Sequence, residues 1–309
     1  MRASRIIIPV LLFIVSACEA VELDNEYQQT LAEGEKTVGS EYTLTLQATK
    51  GGVTKALELD GNTLNGYWVD GEKVGVYVNG TYCGFLTADA TREKSATATL
   101  SGTLSPSSVL AVGKTITLLY PDRTDIDIEE STRWDYTGQN GAVPTPAGDL
   151  STKYDYMTAT LTINSIENGV INITAPASFQ SEQSIYRFDF KVNEALTAVK
   201  WFSVSSNRNK LVTSRSYSGG WGSNHGDLSV SLTGNGSVSP YVSLRNENTM
   251  QTDTYSFVAM DGNEALLLGS KEIPSEKLGN GKFIAPSVPL TQPVFCSGSG
   301  SIHNAEDVL

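Results

Sequence analysis

The side chains that could carry out acid–base or nucleophilic chemistry are few. Only two histidines occur among 309 residues, His225 and His303. His303 stands in a terminal stretch rich in Ser and Gly, which leaves His225 as the imidazole expected in a folded region. It lies in Ser218-Gly-Gly-Trp-Gly-Ser-Asn-His-Gly226, a glycine-rich run without the G-x-S-x-G elbow that presents a serine nucleophile. A Ser/His/Asp relay needs no sequence adjacency, so the run stays open to one, although a surface-loop histidine is the plainer reading. Carboxylates are densest in Asp122-Arg-Thr-Asp-Ile-Asp-Ile-Glu-Glu130. Hard oxygens in such a run could hold calcium, or supply an acid pair of the glycosidase type. The glycine and spacing of an EF-hand loop are missing and Arg123 offsets part of the charge, so a solvated loop is expected. Trp201, Tyr217 and Trp221 lie in or beside the run from Ser205 to Asp227 and are candidates for stacking on sugar rings. Aromatic caps of a core are the commoner use of such residues. No catalytic residue, metal site or cofactor is assigned, and no phosphate-binding or dinucleotide fingerprint occurs. The expectation is that the chain is not an enzyme.

The elements that must position these residues read as strands. Lys and Arg number 22 against 34 Asp and Glu, a net charge of −12. That balance argues against nucleic acid, whose binding rests on cations neutralising phosphate. Asn-Gly pairs begin at 65, 79, 140, 168, 235 and 280, and Asp-Gly pairs at 60, 70 and 261. They separate short alternating runs such as Tyr42–Leu46, Thr97–Leu100, Thr115–Leu119, Thr158–Ile163, Leu228–Leu232 and Tyr255–Val258. Many short alternating runs with frequent turn signals predict antiparallel sandwiches. The most fully specified is a hairpin turning on Asn79-Gly80, a type I′ signal. It is expected to pair Val78 with Thr81, Tyr77 with Tyr82, Val76 with Cys83, Gly75 with Gly84 and Val74 with Phe85. Val74, Val76, Cys83 and Phe85 would then be buried on one face and Tyr77 and Tyr82 would lie on the other. Cys83 is read as a packing residue rather than a reactive thiol, and a disulfide to Cys296 is not expected. Val192 to Ala198 could form a helical turn or two.

The N-terminal run points to export. Arg2 and Arg5 precede the apolar Ile6–Val15, which is too short to span a bilayer. Val15-Ser16-Ala17-Cys18 resembles a bacterial lipobox, which makes residues 1–18 a signal peptide and Cys18 the lipidation site. Residues 19–40 carry Glu19, Glu22, Asp24, Glu26, Glu33 and Glu35 with no base before Lys36, and read as an acidic tether. The segment also resembles the acidic signals that direct lipoproteins of some Gram-negative anaerobes to the outer face, though a plain soluble linker fits equally well. The remaining division is a first sandwich over 41–167, a second over 168–296 and a flexible tail over 297–309. Within the first, Asp122 to Thr152 is a long polar excursion.

Several segments taken in order resemble the fimbrillin family of surface lipoproteins. They are the lipobox, the opening strand Tyr42-Thr-Leu-Thr-Leu46, Gly66-Tyr-Trp-Val-Asp-Gly-Glu-Lys-Val-Gly-Val-Tyr77 and Ser101-Gly-Thr-Leu104. Leu119-Tyr-Pro121, Tyr136-Thr-Gly-Gln-Asn-Gly141, Lys153-Tyr-Asp-Tyr-Met157 and Gly281-Lys-Phe-Ile-Ala285 follow. Gly71-Glu72 stands where the family has Gly-Asp. The resemblance implies an all-β fold of two consecutive transthyretin-like antiparallel β-sandwich domains. It also implies a cell-surface fimbrial subunit or adhesin, tethered to the outer membrane by lipid, whose partners are other fimbrial subunits or a receptor on a host or bacterial surface. Assembly in the family removes the first strand by proteolysis and fills its place with a strand of the next subunit. Family processing follows Arg, and none occurs between Cys18 and Arg92. Lys55 and Lys36 are the nearest stand-ins. Phe283 to Phe295 is long enough to be donated, with Pro286, Pro289 and Pro293 weakening one edge. The alternative is a monomeric surface lipoprotein binding glycans through the Trp221 loop.

Overall fold

The computed structural model describes residues 41–50, 58–60, 63–90, 95–122, 132–145, 148–217, 220–247 and 249–293, with only the backbone described at 58–60, 63–65, 132 and 133. It is an all-β protein, and its strands group around two hydrophobic cores. The first group contains β1 (Tyr42–Lys50), β2 (Glu58–Asp60), β3 (Thr63–Asn65), β4 (Lys73–Val78), β5 (Thr81–Asp89) and β6 (Thr97–Leu104). After β7 (Thr115–Tyr120) and β8 (Thr132–Asp135) come β9 (Met157–Thr162), β10 (Ser165–Glu167), β11 (Val170–Asn172) and β12 (Ala177–Ser181). Nine of these form one sheet in the order β10-β11-β1-β12-β9-β7-β4-β5-β6, and β1 also pairs with β6, so the sheet closes on itself. Closure leaves the sheet few unpaired edges.

The second group contains β13 (Ser184–Arg187), β14 (Asp189–Val192), β15 (Ala195–Leu196), β16 (Val199–Ser206), β17 (Val212–Tyr217) and β18 (Trp221–His225). It continues through β19 (Leu228–Ser231), β20 (Tyr241–Leu244), β21 (Asp253–Asp261), β22 (Leu266–Ile273), β23 (Phe283–Ile284) and β24 (Ser287–Thr291). One layer is the seven-stranded sheet β15-β14-β24-β22-β21-β16-β19. The other combines β20-β13-β23 with β18-β17-β8, linked by a bridge between Leu211 and Asn246. Phe188, Phe190, Phe202 and Phe257 pack edge-on between the layers.

Four features depart from the sequence reading. First, the sheet runs past the expected division at Glu167/Asn168. Asn168 (φ 50°) and Gly169 (φ 78°) turn a hairpin, and β11 and β12 then pair with β1 and β9. The change of sheet falls between Ser181 and Ser184 instead. Second, the excursion from Asp122 crosses to the other half, where β8 pairs with β17 and buries Trp134 completely. Third, Val192 to Ala198 is a tight hairpin rather than a helical turn. Asn193 and Glu194, both at positive φ, join β14 to β15. Fourth, parallel pairs enter the otherwise antiparallel layers where β1 meets β11 and β12, and where β13 and β14 meet β23 and β24.

The Asn79-Gly80 hairpin forms with both residues at positive φ (49° and 84°), pairing Val78 with Thr81 and Tyr77 with Tyr82. Beyond Tyr77 the register shifts, so that Val76 faces Gly84, Gly75 faces Phe85 and Val74 faces Leu86. Gly84 sits at φ 120°, a bulge conformation that only glycine adopts readily. The extra residue exchanges the faces of the next two. Leu86 is buried and Phe85 is turned out, 38% exposed, with the Lys73 ammonium 4.4 Å from its ring. The expectation that Phe85 is buried is thereby corrected, while Val74, Val76 and Cys83 are buried. The opposite face of β4 and β7 is buried too, because Tyr77 and Leu119 belong to the second core.

Candidate functional site

β1 is an alternating strand with both edges paired. Leu44, Leu46, Ala48 and Lys50 point into the first core, and the residues between them face outward or lie half-buried. On one side it runs antiparallel to β6, from Tyr42 opposite Leu104 to Thr49 opposite Thr97. On the other it runs parallel to β11 at Thr43 and Leu44, and to β12 from Ala48 to Lys50. The strand therefore occupies a slot whose two walls would each present an unpaired backbone edge without it.

The last inward position of that slot is charged. Lys50 has no exposed side-chain surface, and its Nζ donates to Glu72 Oε2 at 2.6 Å and to the Tyr67 carbonyl at 3.0 Å. The ammonium lies 3.6 Å from the centroid of the Trp68 ring and 5.1 Å from that of Tyr120, a cation–π arrangement. Glu72 is held independently of β1, since the Tyr120 hydroxyl donates to Oε1 at 2.9 Å and the Val69 amide to Oε2 at 3.2 Å. Burial lowers the Lys50 pKa to about 8, against the pull of Glu72 and, further off, Asp155. Neither Lys50 nor its pocket was singled out by the sequence reading. The available signal was phase, because Lys50 continues the inward series of 44, 46 and 48.

The aromatic candidates separate. Trp201 lies on β16, opposite Ser231 and Met260, in the seven-stranded layer. Tyr217 and Trp221 sit on β17 and β18, their rings 5.1 Å apart. They are built into the joint between the two halves. Trp221 lies 4.4 Å from Trp134 and 4.0 Å from the Arg215 guanidinium, while Tyr217 lies 5.6 Å from Tyr77 and donates to Thr117 Oγ1 at 3.2 Å. Tyr77 and Tyr82 thus face the second half rather than solvent. Beneath these rings Glu182 accepts from Arg215 at 2.8 Å, Arg245 at 2.5 Å and Thr158 at 2.8 Å, which ties β9 to the second half.

His225 ends β18 with Nε2 2.8 Å from Glu247 Oε2, and Ser223 donates to Glu247 Oε1 at 2.5 Å. Partial burial works to raise the Glu247 pKa, but the bonds from Ser223 and His225 outweigh it and hold the carboxyl below its ordinary range. The carboxylate stands between hydroxyl and imidazole, so this serine does not hand its proton to His225, and the trio is not a nucleophilic relay. Of the carboxylate run only Asp122 is described, accepting from the Tyr82 hydroxyl at 3.2 Å. Among the described residues no group of three or more His, Cys, Asp or Glu is placed to hold a metal. Cys83 is a buried free thiol whose pKa burial raises. Cys18, Lys36, Lys55, Cys296 and the tail 297–309 lie outside the described residues.

The segment from Phe283 is not a loose extension. β23 pairs with β13, and β24 lies between β14 and β22 with Val288 and Leu290 buried.

No protein-family model matches the sequence and no curated protein is significantly similar to it. Solved structures are similar. A candidate cell adhesion protein from Bacteroides uniformis has a TM-score of 0.42 and 14% identity, over 80% of this chain and 96% of its own. A candidate cell adhesion protein from Parabacteroides distasonis has a TM-score of 0.42 and 10% identity, over 82% of this chain and 99% of its own. A fimbrilin from Porphyromonas gingivalis has a TM-score of 0.37 and 11% identity, over 74% of both chains.

Proposed function

We propose that this chain is a cell-surface fimbrial subunit or fimbrillin-like adhesin, lipidated at Cys18 in the outer membrane, that joins other subunits by strand addition. The observation that supports the reading is the seat of β1: an alternating strand, walled by β6 and by β11 and β12, with Leu44, Leu46, Ala48 and Lys50 buried in the slot and Tyr42 packed at its end. Burying the two leucines contributes about 3–6 kcal/mol, and the main-chain ladders add specificity for an extended segment. A strand from another chain with the same alternation would recover both terms.

The two processing candidates are not equivalent. Lys36 precedes β1 and a cut there leaves the strand covalently in place, whereas Lys55 follows it. Only a cut after Lys55 would free the slot and, in the same step, separate the body from Cys18. The donated segment is less simply assigned, since β23 and β24 fill their own layer and would have to leave it to reach another subunit.

The test is a full-length chain with a specific protease site inserted between residues 51 and 57. After cutting, an excess of a synthetic peptide of residues 41–50 should displace the N-terminal fragment and enter the slot, read as a mass change in native mass spectrometry, while the uncut chain admits none. A cut chain that stays at its original mass, and that no strand peptide enters, would refute the reading.

A further inference from the structure

Hydrophobic alternation has a period of two, so it excludes a one-residue slip of a strand but tolerates a slip of two. The apolar residues of β1 define its register only through the smaller volume of Ala48 beside Leu44 and Leu46. Lys50 is not interchangeable. Its partners stay in place without β1: Glu72 is held by Tyr120 and the Val69 amide, and Trp68 by the hydrogen bond its backbone N–H donates to the Ser95 carbonyl and by its edge contacts with Tyr120 and Phe179. A carboxylate, an indole face and a carbonyl all turned to one buried point recognise an ammonium. A strand slipped by two residues would bring a residue other than lysine there and lose the Lys50–Glu72 ion pair and the cation–π contact with Trp68, the situation in which a buried ion pair acts as a register device.

We infer that the Glu72–Trp68 pocket reads the strand occupying the β1 slot, selecting an extended segment with three alternating apolar residues followed, two positions on, by a lysine, and setting its register. The inference rests on the strand-addition reading and narrows the partner. The segment of this chain from β24 onward continues Val288 and Leu290 with Gln292 and Val294 in phase and offers no ammonium. The occupant is thus a strand of a different subunit that carries the lysine, and not the β24 segment of a second copy.

The experiment uses full-length chain nicked between residues 51 and 57 with its N-terminal fragment still bound. Labelled synthetic peptides are exchanged in at excess: the sequence 41–50, the same with Lys50→Met, with Leu46→Ser, and with Ala48→Lys together with Lys50→Ala. A photoreactive group replaces Gln47, which faces Thr99 in the native register. The expected result is that Lys50→Met exchanges at least about tenfold more weakly than the parent, and that the shifted-lysine peptide moves its crosslink from Thr99 to Thr97. Equal exchange of parent and Lys50→Met, both better than Leu46→Ser, overturns the pocket while strand addition stands. A crosslink that stays at Thr99 with the shifted lysine does the same. Failure of every peptide to exchange overturns strand addition, and the pocket's role with it.

Discussion

Lys50→Met should flatten a rise of stability with pH that the native chain shows above neutrality. Lys50 is fully covered, and burial, the largest influence on it, takes its pKa from 10.5 to about 8 in spite of Glu72. Between these values the unfolded chain holds a proton that the folded chain has released, so stability increases with pH. The contribution is complete above the unfolded pKa and is lost as pH falls through about 8. From pH 7 to pH 9 the gain is about 1 kcal/mol, and the full gain, reached above the unfolded value, is about 3 kcal/mol. In melting temperature the first figure corresponds to about 2–4 °C for a chain of this size. Cys83 works in the opposite direction, since burial raises its pKa, but that contribution is common to both chains and cancels in their difference. Urea unfolding of wild type and Lys50→Met at pH 7, 8 and 9 measures it. Parallel pH profiles for the two chains would show that the ammonium is not buried in the folded state, and the description of the slot would fall.

The bulge in the hairpin makes Leu86 and Phe85 unequal. Leu86→Ala should cost about 2–5 kcal/mol and Phe85→Ala less than about 1 kcal/mol in chemical denaturation, and the reverse order would restore the unbulged register. Trp134→Ala should lower stability by about 3–5 kcal/mol, since Trp134 is fully buried against Tyr156 and Trp221. A near-neutral result would place β8 outside the second core. In a chain carrying Cys18→Ala and Cys296→Ser, Cys83 should resist a thiol reagent until urea unfolds the protein. Labelling at the rate of a free thiol in buffer would contradict its burial.

How far the fold could be read in advance varied with the range of the interaction. Asn79-Gly80 specified its turn because positive φ at two successive residues is a local requirement. Gly84 was visible as a glycine, but nothing beside it in sequence said that it would serve as a bulge and exchange Phe85 for Leu86. Asn168-Gly169 carries the same turn signal and was read as a division, since a turn motif does not say whether the strand that follows joins the old sheet or starts a new one. The polar run from Asp122 looked like an excursion because its buried aromatic residues, Trp134 and Tyr136, stand among many polar neighbours. Their core belongs to strands that begin some fifty residues later.

Alternation and turn chemistry along the chain are enough to give the class of structure, and its charge balance argues against nucleic acid. The sequence also supplied the apolar series of 44, 46 and 48. What the tertiary structure decided is pairing between distant segments. It seated β1 between β6 and β12, wove β8 into the second half, and brought Glu72, Trp68 and Tyr120 around a lysine that in sequence is one more charged strand end. Local preferences act over a few residues, whereas an ammonium enters a core only where a carboxylate and aromatic faces converge on it. That convergence exists only in the folded chain.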